Sequence, residues 1–172
     1  LDSNEIIGKT VITSKLNGDG TISVGTLMGL FVMDIKSETI KHYPPKEGDP
    51  TSISDKIINR IKVDKAGNYW IGTNAGLNKF DINAGKFRRD IIRNVPISSI
   101  FEDSKNRVWI ASYNSGLFIY NSNSGLAEQY TDPMNIINNN LNIKGITEDK
   151  QNAIWLNTAN GFIKLIPETK SA

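Results

Sequence analysis

At 172 residues, with 38% hydrophobic content, 14 glycines and no cysteine, the chain is long enough for one sizeable core and excludes disulfides, thiolate catalysis and cysteine-ligated metal sites. Its 20 basic and 18 acidic residues are spread along the sequence, so the net charge of +2 leaves no nucleic-acid footprint. No apolar stretch approaches the roughly 20 residues needed to cross a bilayer, and with neither a signal peptide nor an initial Met the chain reads as a piece of a longer protein.

One phrase returns four times, at Asn17 to Leu30, Asp64 to Leu77, Asp103 to Leu117 and Asp149 to Phe162. A period of about 40 residues is the signature of a repeat architecture. Trp70, Trp109 and Trp155 form one column. Six residues before each stands Asp64, Asp103 or Asp149, and six or seven residues after each stands Gly76, Gly116 or Gly161.

Taken in chain order, the first repeat spans approximately 6–43. Val11 and Ser14 mark its first strand, Asn17-Gly18-Asp19-Gly20 a hairpin turn, and Ile22-Ser23-Val24 the second strand. Leu30 to Ile35 and the more polar Thr39 to Tyr43 follow as third and fourth strands. Asn17 and Ser23 replace the Asp and the Trp of the phrase, which makes this blade a candidate cap or edge. The second repeat, approximately 55–93, runs through Ile58 and Ile61, the turn at Asp64, Tyr69-Trp70-Ile71, Leu77 to Asp81 and Lys86 to Ile92. The third, approximately 95–130, has Ile97 and Ile100, Asp103, Val108-Trp109-Ile110, Leu117 to Tyr120 and Ala127 to Tyr130. The last, approximately 141–172, has Ile143 and Ile146, Asp149, Ile154-Trp155-Leu156 and Phe162 to Ile166, and stops without a fourth strand.

Apolar residues on consecutive positions around the Trp column imply strands covered on both faces. Asp or Asn at the turn bonds nearby backbone amides, and Gly or Asn accepts a positive φ there. Four short strands per repeat of about 40 residues define a β-propeller blade. The expectation is therefore an all-β chain of about four four-stranded antiparallel blades with the last incomplete, in one domain over residues 1–172. Either the Glu5 to Thr10 segment supplies the missing outer strand and closes a small ring, or the piece is a partial propeller. A partial propeller exposes apolar blade faces, and self-association is expected to cover them.

The string Val63-Asp64-Lys65-Ala66-Gly67-Asn68-Tyr69-Trp70-Ile71-Gly72-Thr73-Asn74-Ala75-Gly76-Leu77-Asn78-Lys79-Phe80-Asp81 resembles the two-component regulator propeller repeat. The third and fourth copies resemble it nearly as closely. The polar run Asp49 to Ser54 resembles the linker that precedes a repeat in that family. The resemblance implies the periplasmic sensor region of a hybrid two-component histidine kinase, of the kind found in gut Bacteroidetes that respond to glycan breakdown products. It implies an oligosaccharide ligand for the whole sensor and a membrane connection only through parts outside this sequence. The alternative is a general protein-interaction propeller without a small ligand.

No enzymatic constellation stands out, and no catalytic, cofactor-binding or metal-ligating residue is assigned. Trp70, Trp109 and Trp155 read as core rather than as sugar-stacking platforms. Glu102-Asp103 and Glu148-Asp149 are adjacent pairs whose side chains point to opposite faces of a strand, unlike the facing carboxylates of a glycosidase. His42 is the single His. Asn17-Gly18-Asp19-Gly20 lacks the later Glu of a calcium loop. No phosphate-binding glycine loop occurs, so no nucleotide cofactor is expected. Lys86-Phe87-Arg88-Arg89 reads as a solvated outer strand, and Thr131 to Asn142 as a polar connection between blades. The weak candidates for ligand contact are Tyr113 and Asn114, in the turn where the third copy carries one extra residue.

Overall fold

The computed structural model describes residues 9–131, 136–137 and 141–167. Among the described residues, fifteen strands fall into four antiparallel sheets, each a meander of neighbours in sequence. The chain divides into two compact units, Leu1–Ile97 and Ser98–Ala172.

In the first unit, one sheet holds β1 (Val11–Leu16), β2 (Thr21–Thr26), β3 (Gly29–Asp34) and β4 (Ile40–Tyr43), and the next holds β5 (Ile58–Val63), β6 (Tyr69–Thr73), β7 (Gly76–Asp81) and β8 (Lys86–Arg93). Every residue of β6 is buried, as the run of consecutive apolar positions requires. The two sheets face each other through Ile58, which is fully buried. Gly25 makes room for it: a Cβ there would lie 2.6 Å from the Ile58 methyl. Tyr43, Phe80 and Phe87 extend this core, with the Phe80 and Phe87 rings stacked at 4.4 Å and Tyr43 edge-on to both. Phe87 is thus core, not part of a solvated strand, while Lys86 and Arg88 on either side of it are exposed.

The second unit holds β9 (Ile97–Glu102), whose first residue closes the first unit, β10 (Val108–Ser112), β11 (Leu117–Asn121) and β12 (Leu126–Gln129), then β13 (Ile143–Glu148), β14 (Ile154–Thr158) and β15 (Gly161–Leu165). β10 is buried throughout, whereas β14 alternates and leaves Asn157 exposed. Trp109, Ala111, Ile143 and Leu156 lie in one buried cluster. The last sheet has three strands among the described residues. The Glu5 to Thr10 strand expected to complete it lies mostly outside the described residues, as does much of the Thr131 to Asn142 connection.

Candidate functional site

The repeated phrase builds a hairpin turn whose parts recur with the same atoms. The backbone N–H of Asp64 donates to the Asn68 carbonyl at 3.0 Å, and the Gly67 N–H donates back to the Asp64 carbonyl. Asp103 and Arg107, Asp149 and Ala153, and Asn17 and Thr21 make the same closing bond. The fourth residue of each turn has positive φ, at Gly20 (83°), Gly67 (80°), Asn106 (61°) and Asn152 (62°). Only Gly and Asn stand there because Asn is the side-chain-bearing residue that best tolerates this region.

The carboxylate then ties the turn to the next strand. One oxygen of each Asp accepts backbone N–H groups of its own turn, and Oδ2 accepts the indole N–H: Trp70 to Asp64 at 2.8 Å, Trp109 to Asp103 at 2.8 Å and Trp155 to Asp149 at 2.7 Å. In the first blade, Asn17 Nδ2 donates to Ser23 Oγ at 3.0 Å across the same six-residue interval. The substitution is paired. An indole can only donate and so needs the acceptor Asp, whereas a hydroxyl accepts and so suits the amide of Asn.

A cation completes each Asp–Trp pair. Lys79 Nζ lies 5.4 Å from the Trp70 ring and Lys164 Nζ 5.2 Å from the Trp155 ring, each from the residue directly across the strand pair. In the third blade that position is Ile119, and the Arg107 guanidinium covers Trp109 instead, at 5.1 Å. Arg107 Nε also donates to Asp103 Oδ2 at 2.6 Å. Burial by itself would raise the Asp103 carboxyl, but the hydrogen bonds from Trp109 and Arg107 outweigh it and hold the group below the ordinary carboxylate value. Asp149 is lowered first by the bond from Trp155. Trp70 and Trp109 are buried and Trp155 is partly so, and no ring face of the first two is open to a sugar.

The sequence reading missed a second repeated device. A hydroxyl at the end of each second strand closes the turn to the third. Thr26, Thr73 and Thr158 donate Oγ1–H to the carbonyls of Gly29, Gly76 and Gly161, and accept the N–H of the residue two positions on. Ser112 occupies the same column before Gly116. These glycines all have positive φ, and at Gly76 (138°) a Cβ would lie 2.1 Å from the Ile92 carbonyl oxygen. A column of Thr, Thr, Ser and Thr was the available signal.

Tyr113 and Asn114 sit in that turn of the third blade and are exposed. Asn114 Oδ1 accepts from the hydroxyls of Ser112 and Ser115, so its acceptor is spent on the turn. Neither residue lines either of two concavities on the second blade, one of about 790 Å³ against Arg88, Arg89 and Arg93 and one of about 450 Å³ against Tyr69 and Lys79. His42 stacks on Phe31 at 4.0 Å and its Nε2 meets the Met28 carbonyl at 2.9 Å; since a carbonyl only accepts, Nε2 carries a proton. No cluster of His, Asp and Glu among the described residues could hold a metal ion.

Tyr69 joins the two sheets of the first unit, donating its hydroxyl to Asp19 Oδ2 at 2.9 Å. Burial and this bond push its phenol up to about 12. In the second unit, Glu148 plays the reciprocal part, accepting the N–H and hydroxyl of Ser104 from the neighbouring turn at 2.8 Å each.

The blade geometry and the phrase that builds it define a β-propeller chain. Residues 52–75 and 91–114 match the family model of the two component regulator propeller. Among solved structures it is similar to the extracellular domain of BT4673 of B. thetaiotaomicron, described as a hybrid two component system, at 24% identity and a TM-score of 0.79, covering 94% of this chain and 21% of that one. It is similar to the extracellular domain of BT3049 of the same organism, likewise described as a hybrid two component system, at 26% identity and a TM-score of 0.70, covering 91% and 20%. Virginiamycin B lyase of Staphylococcus aureus shares the fold at 18% identity and a TM-score of 0.62, covering 92% and 56%. The chain spans about a fifth of the two B. thetaiotaomicron domains. No curated protein matches it. No helix among the described residues is long and apolar enough to cross a membrane.

Proposed function

We propose that the chain is a non-catalytic part of the periplasmic sensor region of a hybrid two-component histidine kinase, one whose propeller responds to a glycan-derived ligand. The match to the regulator propeller model is the observation that carries this reading. The likeness to extracellular domains described as hybrid two component systems supports it. The blades supply a stiff scaffold, since each turn is locked by an Asp or Asn and by a hydroxyl. Ligand binding to the whole sensor shifts a dimer between two arrangements, by no more than the difference in its affinity for them. The test is autophosphorylation of the full-length parent in membrane vesicles, titrated with a panel of oligosaccharides. A rise with one saccharide class supports the reading, and phosphorylation indifferent to every saccharide counts against it.

A second reading, a protein-interaction module without a small ligand, is favoured by apolar side chains left in solvent. Val11 (50% exposed) and Leu16 (63%) lie on β1, and Phe162 (74%) and Ile166 (79%) on or beside β15. Monomers rarely expose contiguous apolar surface without a partner. Self-association through these residues is expected, and light scattering over a concentration series should show a mass above 19.1 kDa that rises with concentration. A constant monomer mass argues against it.

A further inference from the structure

Of the blades with a fourth strand, the second alone has an irregular one. β4 and β12 pair with their neighbours in unbroken register. In β8 the register jumps: Leu77 faces Ile92 and Lys79 faces Arg88, so Arg89, Asp90 and Ile91 lie opposite the single Asn78. Such a bulge re-aims side chains, and bulges concentrate beside functional sites. Ile91 and Ile92 turn inward and anchor the strand. Arg88, Arg89 and Arg93 are left around the groove of about 790 Å³, against one lining carboxylate, Asp90.

The groove's other side is held in place. The Phe87 N–H donates to the Thr51 carbonyl at 2.8 Å, which lays the linker along the start of β8. The linker is stiffened by its own turn, in which Asp49 Oδ1 accepts the Thr51 N–H and hydroxyl. Beyond Thr51 it leaves β8, and Ser54 is fixed by bonds to Asn78 and Thr73. Asn94 closes the groove, its N–H bonded to the Ala75 carbonyl. Asp90 accepts Arg88 Nε at 2.8 Å and also faces Arg93, and Asp49 feels Lys46 and Arg89.

A concavity between 300 and 1,000 Å³ with a few convergent polar groups is of ligand size. Guanidinium forks match oxyanions two bonds at a time. We propose that this groove binds a small ligand carrying two or more oxyanion groups, carboxylate or sulfate ester, through Arg89 and Arg93 with Asn94 as a polar partner. An extended polyanion such as nucleic acid is disfavoured by a net charge of only +2 over the whole chain. The site does not depend on the sensing role, because binding is measured on this chain alone.

The test is calorimetric titration of the 172-residue chain at low ionic strength with citrate, inorganic sulfate and trigalacturonate. Citrate and trigalacturonate should bind, more weakly at about 0.15 M salt, where charges are screened beyond roughly 8 Å. Arg89→Gln with Arg93→Gln should weaken both by about tenfold or more. Lys41→Gln, on the first blade, should change nothing, and Asp90→Asn, which removes the opposing carboxylate, should bind at least as tightly as the parent. Tighter binding of trigalacturonate than citrate assigns an acidic saccharide, and equal binding assigns the oxyanions alone. The proposal is overturned if neither citrate nor trigalacturonate binds at millimolar concentration, if sulfate binds as tightly as both, or if the double arginine variant, melting as the parent does, binds unchanged.

Discussion

Asp103→Asn isolates what the repeated carboxylate contributes. Asp103 is 1% exposed, and its Oδ2 accepts from Trp109 Nε1 and Arg107 Nε while Oδ1 accepts from the amides of Lys105 and Arg107. An amide of the same shape must turn its NH₂ toward one of these donor pairs, so either orientation sets buried donors against donors. A hydrogen bond to a charged group contributes about 1.5 to 3 kcal/mol, and the two at Oδ2 are coupled through one atom, which puts the loss at about 3 kcal/mol. Asp149 is more exposed and Trp155 is not fully buried, so Asp149→Asn should cost clearly less. Urea unfolding followed by tryptophan fluorescence measures both. With an m-value of about 2 kcal/mol/M, the midpoint should fall by about 1.5 M for Asp103→Asn and by clearly less for Asp149→Asn. A shift for Asp103→Asn no larger than that for Asp149→Asn would refute the reasoning, because the buried site must be the more costly one. Asn17 shows why an amide is tolerated in the first blade, where its partner Ser23 can accept.

Further expectations concern backbone and pH. Gly76→Ala meets the Ile92 carbonyl oxygen at 2.1 Å with φ at 138° and should cost about 3 kcal/mol or more, whereas Gly161→Ala, with nothing within 4 Å, carries only the backbone strain of about 1 to 2 kcal/mol. Paired thermal melts rank them, and equal losses would contradict the close-approach argument. Asp103 and Asp149 are held below the ordinary carboxylate value by their hydrogen bonds, so their contribution to stability is fully present above the unfolded value and lost as pH falls through the folded one. The urea midpoint should therefore be level above about pH 5 and fall below about pH 4, and a midpoint that rises on acidification would show the sign to be wrong.

The blade fold was legible because its signals are local. A phrase that places Asp, a positive-φ residue and Trp within seven positions specifies a turn and the strand after it, whatever surrounds them. Even the degenerate first copy kept its spacing, and its Asn17–Ser23 pair restores the bond in a different chemistry. What the sequence did not disclose depends on register. The covering of Trp70 by Lys79 follows from which residues face each other across β6 and β7, and the change to Arg107 at Trp109 follows from Ile119 taking that place. The bulge in β8 hid in the same way: Lys86-Phe87-Arg88-Arg89 reads as an ordinary outer strand until the pairing shows three residues opposite one. Phe87 reads as solvated until Phe80 is found stacked beneath it.

The Asp–Trp pairs are locks inside the second, third and fourth blades, which leaves function to the blade surfaces. Proton-exchange NMR of the three indole N–H groups in a tryptophan-labelled sample tests this most directly, with a series of oligosaccharides then added. Trp70 and Trp109 should exchange slowly, Trp155 faster, and none should shift with saccharide. Rapid exchange at Trp109, or an indole signal that moves on saccharide binding, would place these rings in a ligand site and contradict the account.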